Sequence, residues 1–406
     1  MPYFQPKLDY QTAGESHGPA LITTITGLPA GLPLDEDLIN DALRRRQGGY
    51  GRGGRQKLET DVVEFLTGVR LGRTIGSPLV IRIHNRDSRL DDLERTPPVH
   101  RPRPGHADLA GSIKWLTTDC RETLERASAR ETASRTAAGA VARCLLRHVF
   151  GVETFGFVRQ ILTERAEGEV TEDNRPEMQQ RRDESDVYTI DEAAGERMRE
   201  AIRQTKIDKD TAGGHVECHV FGCPPGIGSS MDWTAKLDAR IAYTVMGIQA
   251  FKAVQIGLGT GVAERRGSAV HDEIHFDKAK LDSRTLGFVR PTNNAGGTEG
   301  GMTTGQPVVV TGTMKPIATI LKGLPSVDLN TKEPNESQYE RSDISAVSAA
   351  SVVMEHVVAF EVARCFVDKF GGDSVTEQRD NFERYLELAR TLPLADERLN
   401  PGTTLA

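Results

Sequence analysis

Residues 44–55 read RRRQGGYGRGGR, five arginines and five glycines without an acid, in a 406-residue chain of formal net charge −7. Local charge that opposes global charge implies a small polyanion in a focused positive field; it does not imply a broad basic face for nucleic acid. Arginine grips phosphate and carboxylate bidentately, and glycine lets backbone approach a ligand. Other clusters could do chemistry. AGESHG (13–18) sets His17 in a polar turn, as a general acid near neutral pH or as an ordinary surface histidine. RPRPGHAD (101–108) sets His106 beside Arg101 and Arg103 in a proline-stiffened loop, as a preorganised site or a plain solvent loop. RASARE (126–131) puts Arg126 and Arg130 against a helix dipole, which suits a bound anion or a tolerated surface charge. In RSD (341–343), Asp343 is a carboxylate acting on a ligand or a helix N-cap.

Two glycine-rich stretches invite a cofactor. GGTEGGMTTGQP (296–307) precedes a strand that leads to KPIAT (315–319), but no GxxxxGK[ST] is present and so no P-loop. IGLGTGV (256–262) lacks the third glycine of a dinucleotide fingerprint. HVECHVFGC (215–223) tempts a zinc reading, yet its spacing misses the finger patterns, and strand alternation splits its side chains between two faces.

The elements that must position these residues are partly legible. Residues 21–31 read as a strand and turn, and 35–47 as a short amphipathic helix delivering arginines into the glycine loop. DVVEFLTGV and SPLVIRIHN alternate as paired strands. Residues 85–112 form a long Pro-, Asp- and Arg-rich loop. A helix over 129–149 is predicted, with Ser128 and Glu131 as a capping box and Gly151 as its stop. Further helices are predicted at 236–248 and 346–370, with a buried strand at 253–259. Residues 164–195 are charged enough to predict an exposed insertion, and the tail after 372 reads as peripheral. The expectation is a single catalytic domain over 1–372 and an α/β (α+β) fold with mostly antiparallel pairing.

Composition excludes other classes. No apolar run approaches the roughly 20 residues of a membrane span. The acidic balance disfavours nucleic acid. The first residues carry no basic-then-apolar leader, and five scattered cysteines suit reduced thiols and a cytoplasmic setting.

AGESHG, RRRQGGYGRGGR, RPRPGHAD, ERASARETASR, GGTEGGMTTGQP, KPIAT and RSD, in this order across residues 13–343, resemble the chorismate synthase family. The resemblance implies a β-α-β sandwich of antiparallel sheets around a helical core, with internal pseudo-symmetry, assembled as a homotetramer. It implies a 1,4-anti elimination of phosphate from 5-enolpyruvylshikimate 3-phosphate, dependent on reduced FMN without net redox. NADPH is a possible reductant, and a separate flavin reductase a possible partner. Carried over by motif, His17 is the acid protonating the departing phosphate, His106 stabilises the reduced flavin, and Asp343 assists proton removal. Arg46, Arg52, Arg55, Arg103, Ser128, Ala129, Arg130 and Arg341 face the substrate. Arg126, Ala127, Ser128, Gln249, Ala250, Gly300, Lys315, Pro316, Ile317, Ala318, Thr319 and Arg341 contact flavin. No metal is expected. The His- and Cys-rich strand at 215–223 departs from the family pattern, and residues 164–195 carry no family signal. The alternatives are a flavin reductase using the same cradle, marked by steady NADPH consumption without substrate, and a polyanion-binding module, marked by steep salt dependence without flavin.

Overall fold

The computed structural model describes residues 7–53, 60–338, 340 and 343–394. Its longer helices are α1 (Glu36–Gln47), α2 (Asp108–Trp115), α3 (Arg121–Ala127), α4 (Thr132–Leu145), α5 (Arg175–Glu184), α6 (Glu192–Ile207), α7 (Leu237–Met246), α8 (Val347–Phe370) and α9 (Val375–Arg390). Two larger antiparallel sheets accompany them. The first has the strand order Asp9–Ala13, Ala20–Thr26, Leu79–His84, Val63–Thr67. The second has the order Phe251–Ile256, Val308–Met314, Gly214–Phe221, Glu153–Ile161, Glu164–Arg165. The period-two pattern sets their faces: Leu21, Thr23 and Ile25 point inward while their neighbours stay half-exposed.

Helices α4 and α8 fill the middle layer, α4 against the first sheet and α8 against the second. Of the 24 residues of α8 only Arg364, Asp368 and Lys369 escape burial, as suits a central helix that is mostly apolar on every side, although it also buries Glu355, His356 and Glu361. The α4 stripe of small residues lets the two backbones approach, and a Cβ on Gly139 would stand 2.1 Å from the His356 carbonyl oxygen. The α+β sandwich and the paired strands are as expected.

Several local expectations are corrected. The helix after Ser128 does not start in a capping box. Ser128 Oγ accepts from the Arg130 N–H over a short 3₁₀ turn (Ala129–Glu131), and α4 begins only at Thr132. The Glu131 carboxylate turns away to Thr12 (2.7 Å) and Gln249 (3.1 Å), because the first sheet's edge and the 249–250 turn offer it donors. The reciprocal box lies instead at Ser374 and Glu377, before α9. The strand expected to be buried at 253–259 is the half-buried edge strand Phe251–Ile256. Residues 164–195 are not a free insertion: they cover the outer face of the second sheet, with Val170, Met178 and Ile190 packed on Phe155, Phe157 and Phe221. Few apolar anchors suffice there, because Arg182 also stacks on Phe155 at 4.8 Å. The tail contributes Phe382 and Leu386 to the main core through α9.

Candidate active site

A cleft of about 480 Å³ opens where six segments meet: the turn holding Ser16 and His17, the end of α1 with Arg52 and Gly53, the 103–107 loop, the α3–α4 junction, the 249–250 turn, and residues 314–319 with Asp343. Asp35 caps α1 at its N-terminus and three arginines fill its last turn, the stabilising polarity for a helix dipole. One of them, Arg46, is 3 % exposed and reaches the cleft.

Arg46 and Arg130 converge on one buried carboxylate, Asp61. Arg46 Nη2 lies 2.7 Å from Oδ2, and Arg130 Nη1 lies 2.6 Å from Oδ1 and 2.8 Å from Oδ2. Burial alone would raise the Asp61 carboxyl, but the two guanidiniums hold it below the usual carboxylate range. Arg130 Nε also donates to Asn85 Oδ1 at 2.8 Å, and Asn85 Nδ2 donates to the Gly18 carbonyl at 2.8 Å. The 13–18 turn is thereby tied to the arginine pair. Arg52 Nη1 meets Asp343 Oδ2 at 2.6 Å, and the Gly53 N–H donates to Asp343 Oδ1 at 2.6 Å.

His17 is buried, with Nδ1 2.8 Å from Glu125 Oε1. His106 Nδ1 stands 2.5 Å from Asp108 Oδ1. Arg103 clamps the same carboxylate, Nε to Oδ2 at 2.8 Å, and donates through Nη1 to Thr319 Oγ1 at 3.0 Å. Burial opposes ionisation of Asp108, yet the hydrogen bonds from His106 and Arg103 hold its carboxyl far below the usual range. Lys315 Nζ donates to the Gly105 carbonyl, linking the 103–106 loop to the 315–319 segment.

The structure brings together His17, His106, Asp343, Arg46, Arg52, Arg103, Arg130, Ala127, Ser128, Ala129, Gln249, Ala250, Lys315, Ile317, Ala318 and Thr319 around this cleft. Three expected residues do not line it. Arg126 turns outward to the Gly14 and Thr12 carbonyls, 3.0 Å each. Pro316 is exposed. Gly300 sits in the hairpin turn between Thr298–Glu299 and Met302–Thr303, and the nearest neighbour a Cβ there would meet is Ser230. Arg55 and Arg341 lie outside the described residues. The acids were missed: Asp61, Glu125 and Asp108. Asp108 stands two residues from His106 within a quoted motif, so its spacing was a usable signal. Asp61 and Glu125 carried none beyond the rule that buried arginines need counter-ions.

The His- and Cys-rich segment forms the strand Gly214–Phe221, central in the second sheet. Glu217 there pairs with Arg159 (2.7 Å) and His219 (2.7 Å), away from the cleft.

The chain is similar to known proteins along nearly its whole length. The family model described as chorismate synthase matches residues 8–367. A chorismate synthase of Geobacter metallireducens is 50 % identical over 397 residues, 95 % of this chain and 100 % of that protein. One from Thermoanaerobacter pseudethanolicus is 48 % identical over 377 residues, 93 % and 98 % of the two chains. A solved structure titled crystal structure of chorismate synthase superposes with TM-score 0.77 at 38 % identity, covering 95 % of this chain and 99 % of that one.

Proposed function

The chain belongs to the chorismate synthase family, which converts 5-enolpyruvylshikimate 3-phosphate to chorismate and phosphate with a flavin, and from that premise we propose how its cleft divides the work. The observation that carries the reading is the convergence of four arginines, two histidines and Asp343 from separate segments on one cleft. Arg46, Arg52, Arg103 and Arg130 answer the phosphate and two carboxylates of the substrate. In the 1,4-elimination, the C–H electron pair forms a new ring double bond, the existing double bond shifts one position towards the phosphate-bearing carbon, and the allylic C–O bond breaks with its electron pair leaving on phosphate. His17 gives a proton to the departing phosphate, and an Asp343 carboxylate oxygen receives the ring proton. Neutralising the leaving group while supplying its proton is what lowers such a barrier.

The make-up of the cleft supports a flavin, proposed here as reduced FMN. Leu124, Ala127, Ile317 and Ala318 give apolar walls, and Gln249 Oε1 is buried without a partner among the described residues. Gly105, where φ is +78°, lines the same cleft, and a Cβ there would meet Lys315 Nζ at 3.2 Å. His106, Ala127, Ser128, Gln249, Ala250 and the 315–319 segment would hold the group. A reduced flavin supplies an electron-rich ring that favours an electron-poor allylic centre. NADPH or a separate reductase supplies the reducing equivalents, the chain works as a homotetramer, and its setting is the cytoplasm. Five buried free thiols support that setting; among the described residues no helix is long and apolar enough to cross a membrane.

The test is anaerobic turnover of 5-enolpyruvylshikimate 3-phosphate with chemically reduced FMN, following phosphate and chorismate together. Equal yields, absent with oxidised FMN, support the reading. No product from protein that demonstrably binds flavin sinks it, and NADPH loss without substrate would then favour a reductase.

A further inference from the structure

Glu125 has no part in the division of work above, yet it is the closest partner of His17. Its side chain is 1 % exposed. Oε1 lies 2.8 Å from His17 Nδ1, and Oε2 accepts the His17 backbone N–H at 2.8 Å while standing 3.1 Å from Nδ1. The Ser16 N–H donates to the Glu125 carbonyl at 3.0 Å, so main chain and side chain both pin the turn to the end of α3. Arg121 of the same helix stands 3.6 Å behind the carboxylate and reaches Glu340 at 3.0 Å. The other ring edge faces the 85–96 loop. Arg89 Nη2 is 3.4 Å from Nε2, and Asp87 Oδ2 is 3.8 Å from it. Asp87 and Arg89 pair with each other at 3.1 Å.

An ionised carboxylate only accepts hydrogen bonds, so the nitrogen facing Glu125 carries the hydrogen. Burial opposes ionisation of Glu125, but its bonds and charge interactions with His17, with Arg121 behind, hold the carboxyl below its usual range. The opposite nitrogen has a partner in either state: Arg89 donates to a bare Nε2, and Asp87 stands near a protonated one. We propose that Glu125 is a positioning residue that fixes the Nδ1–H tautomer of His17, leaving Nε2 as the atom that gives up and regains the proton. The proposal rests on the reading of His17 as the acid.

Glu125→Gln tests it. The His17 backbone N–H must still be accepted, which commits the amide oxygen. The amide NH₂ then faces Nδ1 and donates to it, so the neutral ring moves to the Nε2–H tautomer. Histidine-labelled ¹⁵N spectra, taken where the ring is neutral, report the tautomer; loss of the signal in His17→Asn assigns it among the 10 histidines. The expected result is Nδ1–H in the parent and in Glu125→Asp, and Nε2–H in Glu125→Gln. With it, kcat of Glu125→Gln falls about 10²-fold with KM little changed, and Glu125→Asp recovers part of the loss. An Nε2–H ring in the parent, or an unchanged tautomer in folded Glu125→Gln, overturns the proposal; the parent spectrum decides alone if that variant does not fold. A switched tautomer with kcat intact removes His17 from the acid role and leaves the tautomer assignment standing.

Discussion

Asp61 does for two arginines what a bound anion would otherwise do. It is 3 % exposed and takes both Arg46 and Arg130, so removing its charge leaves two buried guanidiniums to repel each other. Asp61→Asn is expected to cost about 3 kcal/mol in denaturant unfolding and to raise the KM for substrate more than it lowers kcat. An unchanged KM in folded protein would place the Arg46–Arg130 pair outside the substrate site. At this scale the sequence was half legible. Arginines and glycines announce themselves by concentration, whereas a lone Asp beyond a loop looks like any surface acid until the fold buries it. Arg126 shows the reverse: it stands in a motif that points to the site, but the Thr12 and Gly14 carbonyls hold its guanidinium outside the cleft.

The loops and turns of the site are held by helices whose packing is close. Gly139 of α4 faces the backbone of α8, and a methyl there would lie 2.1 Å from the His356 carbonyl oxygen and 2.4 Å from its carbon. Backbone cannot step aside as a side chain does, so Gly139→Ala must part α4 from α8. The expected outcome is a loss of about 1–3 kcal/mol, read as a fall in Tm, with kcat reduced because Arg130 rides on the short turn that leads into α4. A variant as stable as the parent would show the contact to be slack. The amphipathic α1 and the long, mostly apolar α8 were legible within a residue or so. The start of α4 was not, because Ser128 and Glu131 satisfy the capping pattern in spacing while tertiary donors at Thr12 and Gln249 claim the glutamate.

Across the whole molecule, buried charge outside the cleft adds its own response to acid. Glu355 lies at the centre, held by Arg45 and Arg143 at 3.1 Å each, with Arg182 at 3.6 Å. Beside it His356 is fully buried; burial and the Arg143 charge, against the Glu355 attraction, push it down from an ordinary 6.5 to about 3. Between those values the unfolded chain binds the extra proton and the folded chain does not, so stability through this residue is present above pH 6.5 and is lost as pH falls towards 3. The loss is at most about 1.4 kcal/mol per pH unit. Denaturant unfolding at pH 7, 6 and 5 should show the parent falling more steeply than His356→Gln; parallel curves would mean that the ring charges in place. None of this centre was legible beforehand. Arg45 and Arg182 come from a glycine-loop motif and a segment read as exposed, and only the third dimension sets them on one glutamate.

The Arg52–Asp343 pair gives the cleft a different character from that of an open row of cations. Arg52 already holds a carboxylate of the protein itself. An arriving anion therefore competes with an occupant, and its measured affinity reports the difference between two ion pairs. Such a site admits ligands by exchange: a weakly matched anion gains almost nothing by displacing Asp343, so the protein's own acid acts as the threshold a correct ligand has to surpass.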